Sequence, residues 1–320
     1  MMEKRMIEVV DYDPLWQKRY QELKEELLNT LPNQIINLFH IGSTSIIGMS
    51  AKATIDILLE VKDINLLDPY QTKMKAIGYI SHGEYGIEGR RYYTKQDGVV
   101  HLVHLHCFQY GNEAIADHLL FKQYLSEHQE MFEVYKNLKI KNASLYKHNP
   151  EDYQNAKHDV IQLINQKAKE KYSFIPKMRK SKSIISYQDC LKVIDNQNFG
   201  TLTITNSFPY SIPINYVYDH HTVYFHTARE GYKLNGINQV ACFSIVEDLG
   251  LKPEKRSHSF RSIMMYGTLY EEKEKREYIL HKLLDTYAPE DRLPRDCIVN
   301  PDTMVLGLTI DYMIGRSHIR

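Results

Sequence analysis

The sequence predicts two domains of different class: an α+β or α/β domain with helices on a mixed sheet, followed by an antiparallel β-barrel. Three observations carry this. At 320 residues the chain exceeds what one hydrophobic core ordinarily organises. Helical and strand periodicities alternate as far as Lys171, whereas short alternating strands dominate from Thr201 onward. Between them, residues 172–180 break the helical period around Pro176, which sets the expected domains at 1–172 and 173–320.

The first helix begins at Asp13-Pro14, an N-cap acid followed by a proline whose missing N–H is harmless in a first turn. Trp16, Tyr20, Leu23 and Leu27 recur at helical spacing and predict one buried stripe. Residues 55–61 and 99–108 read as strands, the second with clean alternation. Helices are expected over 115–124, 129–140 and 151–171, the last turning Tyr153, Ala156, Val160, Leu163 and Ile164 inward. In the second half the strands are 201–206, 209–218, 222–227, 240–247, 262–270 and 304–312, with helices over 188–196 and 271–287. Strands this short and dense predict an antiparallel barrel.

Composition narrows the function classes. Lys plus Arg equals Asp plus Glu at 40 each, so no global field favours nucleic acid or an acidic membrane. No apolar run approaches the ~20 residues that span a bilayer, and Met1-Met2-Glu3-Lys4-Arg5 lacks the apolar stretch of a secretory signal. Cys107, Cys190, Cys242 and Cys297 are scattered without a Cys-x-x-Cys pair, as expected for reduced thiols in a cytoplasmic protein.

In the first half, His40-Ile41-Gly42-Ser43-Thr44-Ser45 precedes Ala51-Lys52-Ala53-Thr54-Ile55-Asp56-Ile57-Leu58. A Gly-Ser turn lets backbone N–H groups approach a phosphate. A carboxylate on the next strand can hold a divalent cation that bridges phosphate oxygens. Gly42, Ser43, Lys52 and Asp56 are therefore the candidate nucleotide-binding residues. This is the logic of the nucleotidyltransferase superfamily with a gap, because the second acid position is Leu58. Glu60 shares the face of Asp56 but lies ~6–7 Å beyond the normal partner. The strand that would carry a third acid reads His101-Leu102-Val103-His104-Leu105-His106. His104 and His106 share a face, so with Asp56 they could hold a transition metal in place of magnesium. Leu58 cannot share a second metal, so binding is expected ahead of nucleotidyl transfer. The ordinary alternatives are a common structural turn and satisfied core or surface histidines.

This segment resembles the GrpB family (UPF0157) of that superfamily. Asp13-Pro14-Leu15-Trp16, the motif at His40, His104-Leu105-His106, Phe121-Lys122-Gln123-Tyr124-Leu125 and Tyr153 with Lys157 carry the resemblance over roughly residues 7–170. It implies a nucleotidyltransferase-like fold and brings no assigned reaction.

In the second half the most informative stretch is Tyr224-Phe225-His226-Thr227-Ala228-Arg229-Glu230-Gly231-Tyr232-Lys233-Leu234. A strand enters a polar turn with two cations, and a helix-like stretch to about Val240 is expected after it. Free N–H groups at a helix start, beside Arg229 and Lys233, make a phosphate site. The hairpin Ile212-Pro213-Ile214-Asn215-Tyr216-Val217-Tyr218-Asp219-His220-His221-Thr222-Val223 precedes it. Together they resemble the flavin-binding half of the pyridoxamine 5'-phosphate oxidase-like split barrels, closest to the Nim-type nitroimidazole-resistance proteins. Met178-Arg179-Lys180-Ser181, Phe199-Gly200-Thr201-Leu202-Thr203, Arg261-Ser262-Ile263-Met264-Met265-Tyr266-Gly267 and Tyr287-Ala288-Pro289 extend the match in collinear order.

The resemblance implies an FMN-binding split β-barrel. Thr227, Arg229 and Lys233 would hold the FMN phosphate, and Pro213, Asn215 and Tyr216 would line the isoalloxazine or ribityl side. His226 would be the reactive-site residue beside the ring, against the alternative of a packed or capping histidine. Tyr224 should point with His226, and Phe225 to the opposite side. FMN would carry electrons from a small-molecule donor, a nicotinamide nucleotide, to an acceptor for which the Nim group suggests a nitroaromatic. Such barrels pair across a two-fold, so a homodimer is expected. A competing reading makes the barrel a flavin or haem binding module, with the first domain as the active, nucleotide-binding part. A third makes both halves an interaction scaffold.

Overall fold

The computed structural model describes residues 6–172, 183–206, 208–288 and 302–319. The Met178-Arg179-Lys180-Ser181 match, Pro289 and Cys297 lie outside the described residues. The chain divides into two compact units, Met1–Lys182 and Ser183–Arg320.

The first unit is built on a five-stranded sheet. Its strands are β1 (Ile35–Ile41), β2 (Ile55–Val61), β3 (Tyr79–Ser81), β4 (Arg90–Asp97) and β5 (Val100–Gln109), in the spatial order β1-β2-β5-β4-β3. β2 and β5 run parallel and the other neighbours antiparallel, so the sheet is mixed. Around it stand α1 (Leu15–Thr30), α2 (Gln71–Ala76), α3 (Glu113–Glu127), α4 (Gln129–Leu145), α5 (Pro150–Asn155) and α6 (His158–Lys171). Local chemistry sets their starts. The Asp13 carboxylate accepts from the Leu15 N–H at 2.9 Å, Asn112 caps α3, and Asn149 with Pro150 opens α5. α3, α4 and α6 meet through Leu125, Phe132, Tyr135 and Ile164.

Two helical stripes differ from expectation. Lys24 is buried in α1 while Leu23 is half-buried, so the inward stripe continues through a lysine stem. The expected helix 151–171 is two helices with a break at Ala156 and Lys157. That break resets the phase: Tyr153, Lys157 and Ile164 point inward, whereas Ala156 and Leu163 are exposed.

The second unit is one antiparallel sheet of seven strands: β6 (Phe199–Thr205), β7 (Pro209–Asn215), β8 (Val217–Asp219), β9 (Thr222–Thr227), β10 (Val240–Lys252), β11 (Ser257–Glu271) and β12 (Met304–His318). Their order is β7-β6-β10-β11-β12-β9-β8, so β7 and β8 are opposite edges. Yet only Tyr216 separates them in sequence, which requires the sheet to curl until its edges meet at that corner. The Tyr287 hydroxyl locks the corner: it accepts from the Tyr216 N–H at 3.1 Å and lies 2.6 Å from the Tyr216 and Asn198 carbonyl oxygens. Leu202, Ile204, Phe225, Phe243, Ile245, Ile263 and Met265 fill the interior. α7 (Tyr187–Asn196) is capped by Ser186, and α8 (Arg276–Tyr287) packs Ile279, Leu280 and Leu283 on Val217, Tyr224 and Val305. Gly267 sits at a register shift between β11 and β12, where a Cβ would stand 1.8 Å from the Thr309 carbonyl oxygen.

The expected 209–218 strand is broken at Tyr216 by the corner. Residues 271–275 extend and leave β11 rather than starting α8. The stretch after β9 holds one 3₁₀ turn, Tyr232–Gly236, in place of a helix reaching Val240. No described helix is long and apolar enough to cross a membrane.

Candidate functional site

In the first unit the candidate residues converge where β1 ends and β2 begins. Ile41 pairs with Asp56 across the strands, and the chain then turns through Gly42 at φ +67°. A Cβ on Gly42 would lie 2.4 Å from Asp56 Oδ2, so only glycine lets the turn close on the carboxylate. Ser45 Oγ donates to the Gly42 carbonyl at 2.7 Å, and the Ser43 and Tyr135 hydroxyls pair. His40 pins the turn from below. Its Nε2 lies 3.0 Å from Thr44 Oγ1, its Nδ1 3.3 Å from Gln17 Oε1, and its ring stacks on Tyr20 at 4.8 Å. Burial first, then Lys122, push its pKa down to about 3 against Asp56, so this imidazole is neutral. A groove of 610 Å³ opens beside the turn, lined by Ser45, Ile46, Lys122 and Phe132 among others.

Asp56 heads a hydrogen-bonded chain. His104 Nδ1 is 3.0 Å from Asp56 Oδ1, and His104 Nε2 is 3.0 Å from His101 Nδ1. With Nδ1–H donated to the carboxylate, Nε2 accepts from His101, so the chain of hydrogen bonds runs from Asp56 on β2 to His104 and His101 on β5. Burial raises the Asp56 pKa, but the His104 hydrogen bond and the charges of His104, His106 and Lys52 outweigh it and hold the carboxyl below its usual range.

Of the expected metal set, Asp56 and His104 are hydrogen-bonded, and the charge of His106 acts on Asp56 without a hydrogen bond between them. His106 turns to another cluster, with Tyr92 and His118 rings at 5.1 and 5.2 Å and Arg90 Nη1 3.5 Å from its Nδ1. Among the described residues no group of three His, Cys, Asp or Glu side chains is placed to hold a metal ion. Glu60 does not compensate for Leu58: it is buried and accepts from Asn37 Nδ2 at 2.7 Å.

What the sequence reading missed is a cluster of ammonium groups. Lys139 on α4 is 2% exposed and donates to the Ser50 carbonyl, its Nζ 4.9 Å from the Tyr135 ring centroid. Lys157, at the α5–α6 break, is 7% exposed with Nζ 4.3 Å from the Tyr153 ring, over which Lys52 also lies at 5.1 Å. Burial, then Lys157, Lys136 and Lys52, bring Lys139 down to about 7 against Asp56. Burial and then Lys52 bring Lys157 down to about 7, again with Asp56 opposing. Lys52, predicted as a ligand residue, thus stands with two buried lysines and one carboxylate. The available signal was Tyr-x-x-x-Lys, which occurs at Tyr20/Lys24, Tyr135/Lys139, Tyr153/Lys157 and Tyr278/Lys282; the second and third place an ammonium of this site over a ring four residues before it.

In the second unit β9 ends at Thr227, and the predicted phosphate residues follow in an exposed turn. Arg229 is exposed and makes no hydrogen bond or ion pair among the described residues. Among the described residues Lys233 Nζ bonds only the Glu230 carbonyl, at 3.5 Å, past Gly231 at φ +109°. Thr227 is buried and its hydroxyl donates to the Ala228 carbonyl at 3.1 Å. Tyr232 stacks on Phe208 at 4.5 Å and lies 5.2 Å from Tyr210, which ties the turn to the start of β7. His226 is exposed and paired in register with Val305, whereas Tyr224 and Phe225 are buried on opposite faces, under α8 and inside the barrel. Pro213 and Asn215 are exposed on β7. Tyr216 is not: it is 3% exposed, its hydroxyl donates to the Ile194 carbonyl at 2.5 Å and its ring edges Phe243. It is a core residue of the corner, displaced from the lining role by the strand break. The turn thus leaves Arg229 exposed and Lys233 half-buried, and Tyr216 stands apart from them in the core.

Residues 6–167 match the sequence model of the GrpB protein family, and residues 186–317 that of pyridoxamine 5'-phosphate oxidase. The UPF0157 protein YqkA of Bacillus subtilis is 39% identical over 166 residues, 52% of this chain and 48% of that protein, so the chain spans about half the length of this relative. The UPF0157 protein SCO7215 of Streptomyces coelicolor is 31% identical over 164 residues, 49% of this chain and 82% of that protein. The crystal structure of GrpB from Enterococcus faecalis, 32% identical, superposes with a TM-score of 0.50 over 52% of this chain and 99% of its own. The FAD binding protein from Mycobacterium smegmatis, 20% identical, superposes with a TM-score of 0.32 over 43% of this chain and 100% of its own.

Proposed function

We propose, for a chain that belongs to the GrpB family and carries a pyridoxamine 5'-phosphate oxidase domain after its GrpB domain, that the second domain binds FMN and passes electrons from a nicotinamide nucleotide to a small acceptor. One observation carries this reading. Within the matched region, Arg229 and Lys233 stand at the mouth of β9 without a carboxylate partner among the described residues, the arrangement a phosphate monoester calls for. Bound flavin would supply the two-electron chemistry. Arg229 and Lys233 would grip its phosphate, and exposed His226 would hold a proton beside the ring. Pro213 and Asn215 on the exposed face of β7 would border the ring and ribityl chain. Phe199, Val240 and Val246, each about 60% exposed on the outward sheet face, suit coverage by a second copy. A nitroaromatic is the acceptor favoured by the Nim-type resemblance.

The test is direct. Purified protein should be yellow, release FMN on denaturation, bleach with NADH or NADPH and recover its colour with a nitroimidazole. His226→Ala should keep the flavin and lose turnover. A colourless protein indifferent to added FMN and FAD would end the reading, and a Soret band would redirect it to haem.

A second reading concerns the GrpB domain, as a nucleotide-binding unit using Gly42, Ser43, Lys52 and Asp56. The buried lysines around Asp56 favour it, and a thermal shift with ATP in the presence of magnesium, manganese or zinc tests it.

A further inference from the structure

We infer that the lysine cluster around Asp56 is a phosphoryl-binding site that operates without a metal ion, with Lys52, Lys139 and Lys157 supplying the positive charge that divalent cations supply where carboxylates line such a turn. The inference deepens the second reading above and rests on it for the nucleotide, though not for the phosphoryl group itself.

The donor set argues against a metal. A divalent cation bridging phosphate oxygens is held by carboxylates. Here Leu58, fully buried, fills the second acid position, and β5 supplies histidines in the third. Asp56 Oδ1 is engaged by His104, Oδ2 faces the Gly42 turn, and Glu60 is held by Asn37. Adding a doubly charged ion among three ammonium groups and one carboxylate would raise repulsion rather than relieve it.

The same cluster is built for an anion. Lys139 and Lys157 are almost fully buried, each stands over a tyrosine ring, and each feels the other lysines more than any acid except Asp56. The Lys157 ammonium makes no hydrogen bond or ion pair among the described residues and stands over the Tyr153 ring, although an ammonium carries three donors. Lys139 has one carbonyl partner, that of Ser50, and buried like charges so sparsely partnered destabilise a fold unless an anion joins them. A carboxylate ligand has two oxygens and one charge. A phosphoryl group offers three oxygens and a charge near −2, which matches three ammoniums less one carboxylate. The Gly42-Ser43 turn beside Asp56 adds backbone donors of the kind that approach phosphate closely.

Calorimetric titration of the full chain, in EDTA, with inorganic phosphate, pyrophosphate and ATP, tests this against sodium chloride at matched ionic strength. Saturable binding of at least one phosphate compound is expected, unchanged within twofold when magnesium replaces EDTA. Lys139→Met and Lys157→Met, which keep stem length, should each weaken it tenfold or more, and exposed Lys75→Met by less than twofold. Circular dichroism of each variant separates lost binding from lost fold. Binding of ATP only with a divalent ion would overturn the inference and leave the nucleotide reading standing. Pyrophosphate binding in EDTA with no response to ATP would support the inference and end the nucleotide reading. No response to any phosphate compound in either condition would end both.

Discussion

Each domain gathers cations where the chain leaves a strand, and the two gatherings sit in opposite surroundings. Lys139 and Lys157 are 2% and 7% exposed beside one carboxylate, whereas Arg229 stands in water and Lys233 is half-buried. Charge in water is nearly neutral in energy, so the turn after β9 speaks for a ligand only through its place in a matched fold. Charge out of water is not. Two ammoniums held near neutrality by burial destabilise the empty site, and an anion would reverse that. The buried pair is thus the stronger physical evidence for a ligand, although its family has the less defined chemistry.

The largest expected effect tests that asymmetry through pH. An unfolded lysine keeps its proton to about pH 10.4, while folded Lys139 and Lys157 release theirs at about 7. Between those values the unfolded state binds more protons, so stability of the empty first domain should rise with pH from 7 to about 9.5, by roughly 2–4 kcal/mol after allowance for coupling. Lys52, Lys136 and Asp56 are the charges facing the pair, and Tyr135 and Tyr153 are held protonated through this window by burial. Lys139→Met or Lys157→Met should stabilise the domain at pH 7 and flatten the slope. Urea unfolding at pH 7, 8 and 9 reads it, and parallel slopes in parent and variants would remove the buried-charge half of the comparison.

Gly42→Ala is expected to follow closely in size. It combines a positive φ with a Cβ 2.4 Å from Asp56 Oδ2, so the turn must shift away from the carboxylate. A loss of about 2–3 kcal/mol follows from the strained backbone and the contact together, measured by the same urea transitions. The His104 imidazole signals should move with it, because His104 Nδ1 is bonded to Asp56. Unchanged His104 resonances in a folded variant would mean that the turn does not set the carboxylate.

How much of this was legible in sequence depended on whether the signal was local. Caps and alternation are local, and they placed α1, β2, β9 and α7 closely. β1 was missed because Ile35-Ile36-Asn37-Leu38-Phe39-His40-Ile41 is buried on both faces and has no period-two pattern to read. Tyr216 was misassigned because a corner between opposite sheet edges is a property of the closed sheet, invisible in a continuous run of strand formers. Gly42 does meet Asp56, since β1 and β2 pair directly beside them; Ser43 follows in the same turn, and the charge of Lys52 acts on the carboxylate. Lys139 comes from a helix about 80 residues further along, and only packing shows that its ammonium is buried there.

The smallest stability effect belongs to the cations of the turn after β9 and sharpens the comparison most. Arg229→Ala and Lys233→Ala remove charges that make at most one long bond, to a carbonyl, among the described residues, so unfolding of the second domain should change by no more than about 0.5 kcal/mol. Each should still weaken FMN about tenfold, the worth of one charge-assisted hydrogen bond to a phosphate, and leave affinity for riboflavin, which lacks the phosphate, unchanged. Fluorescence titration with both flavins separates the two. Equal losses for FMN and riboflavin would place the cations away from the phosphate, and a large loss of stability would mean that they hold the turn rather than a ligand.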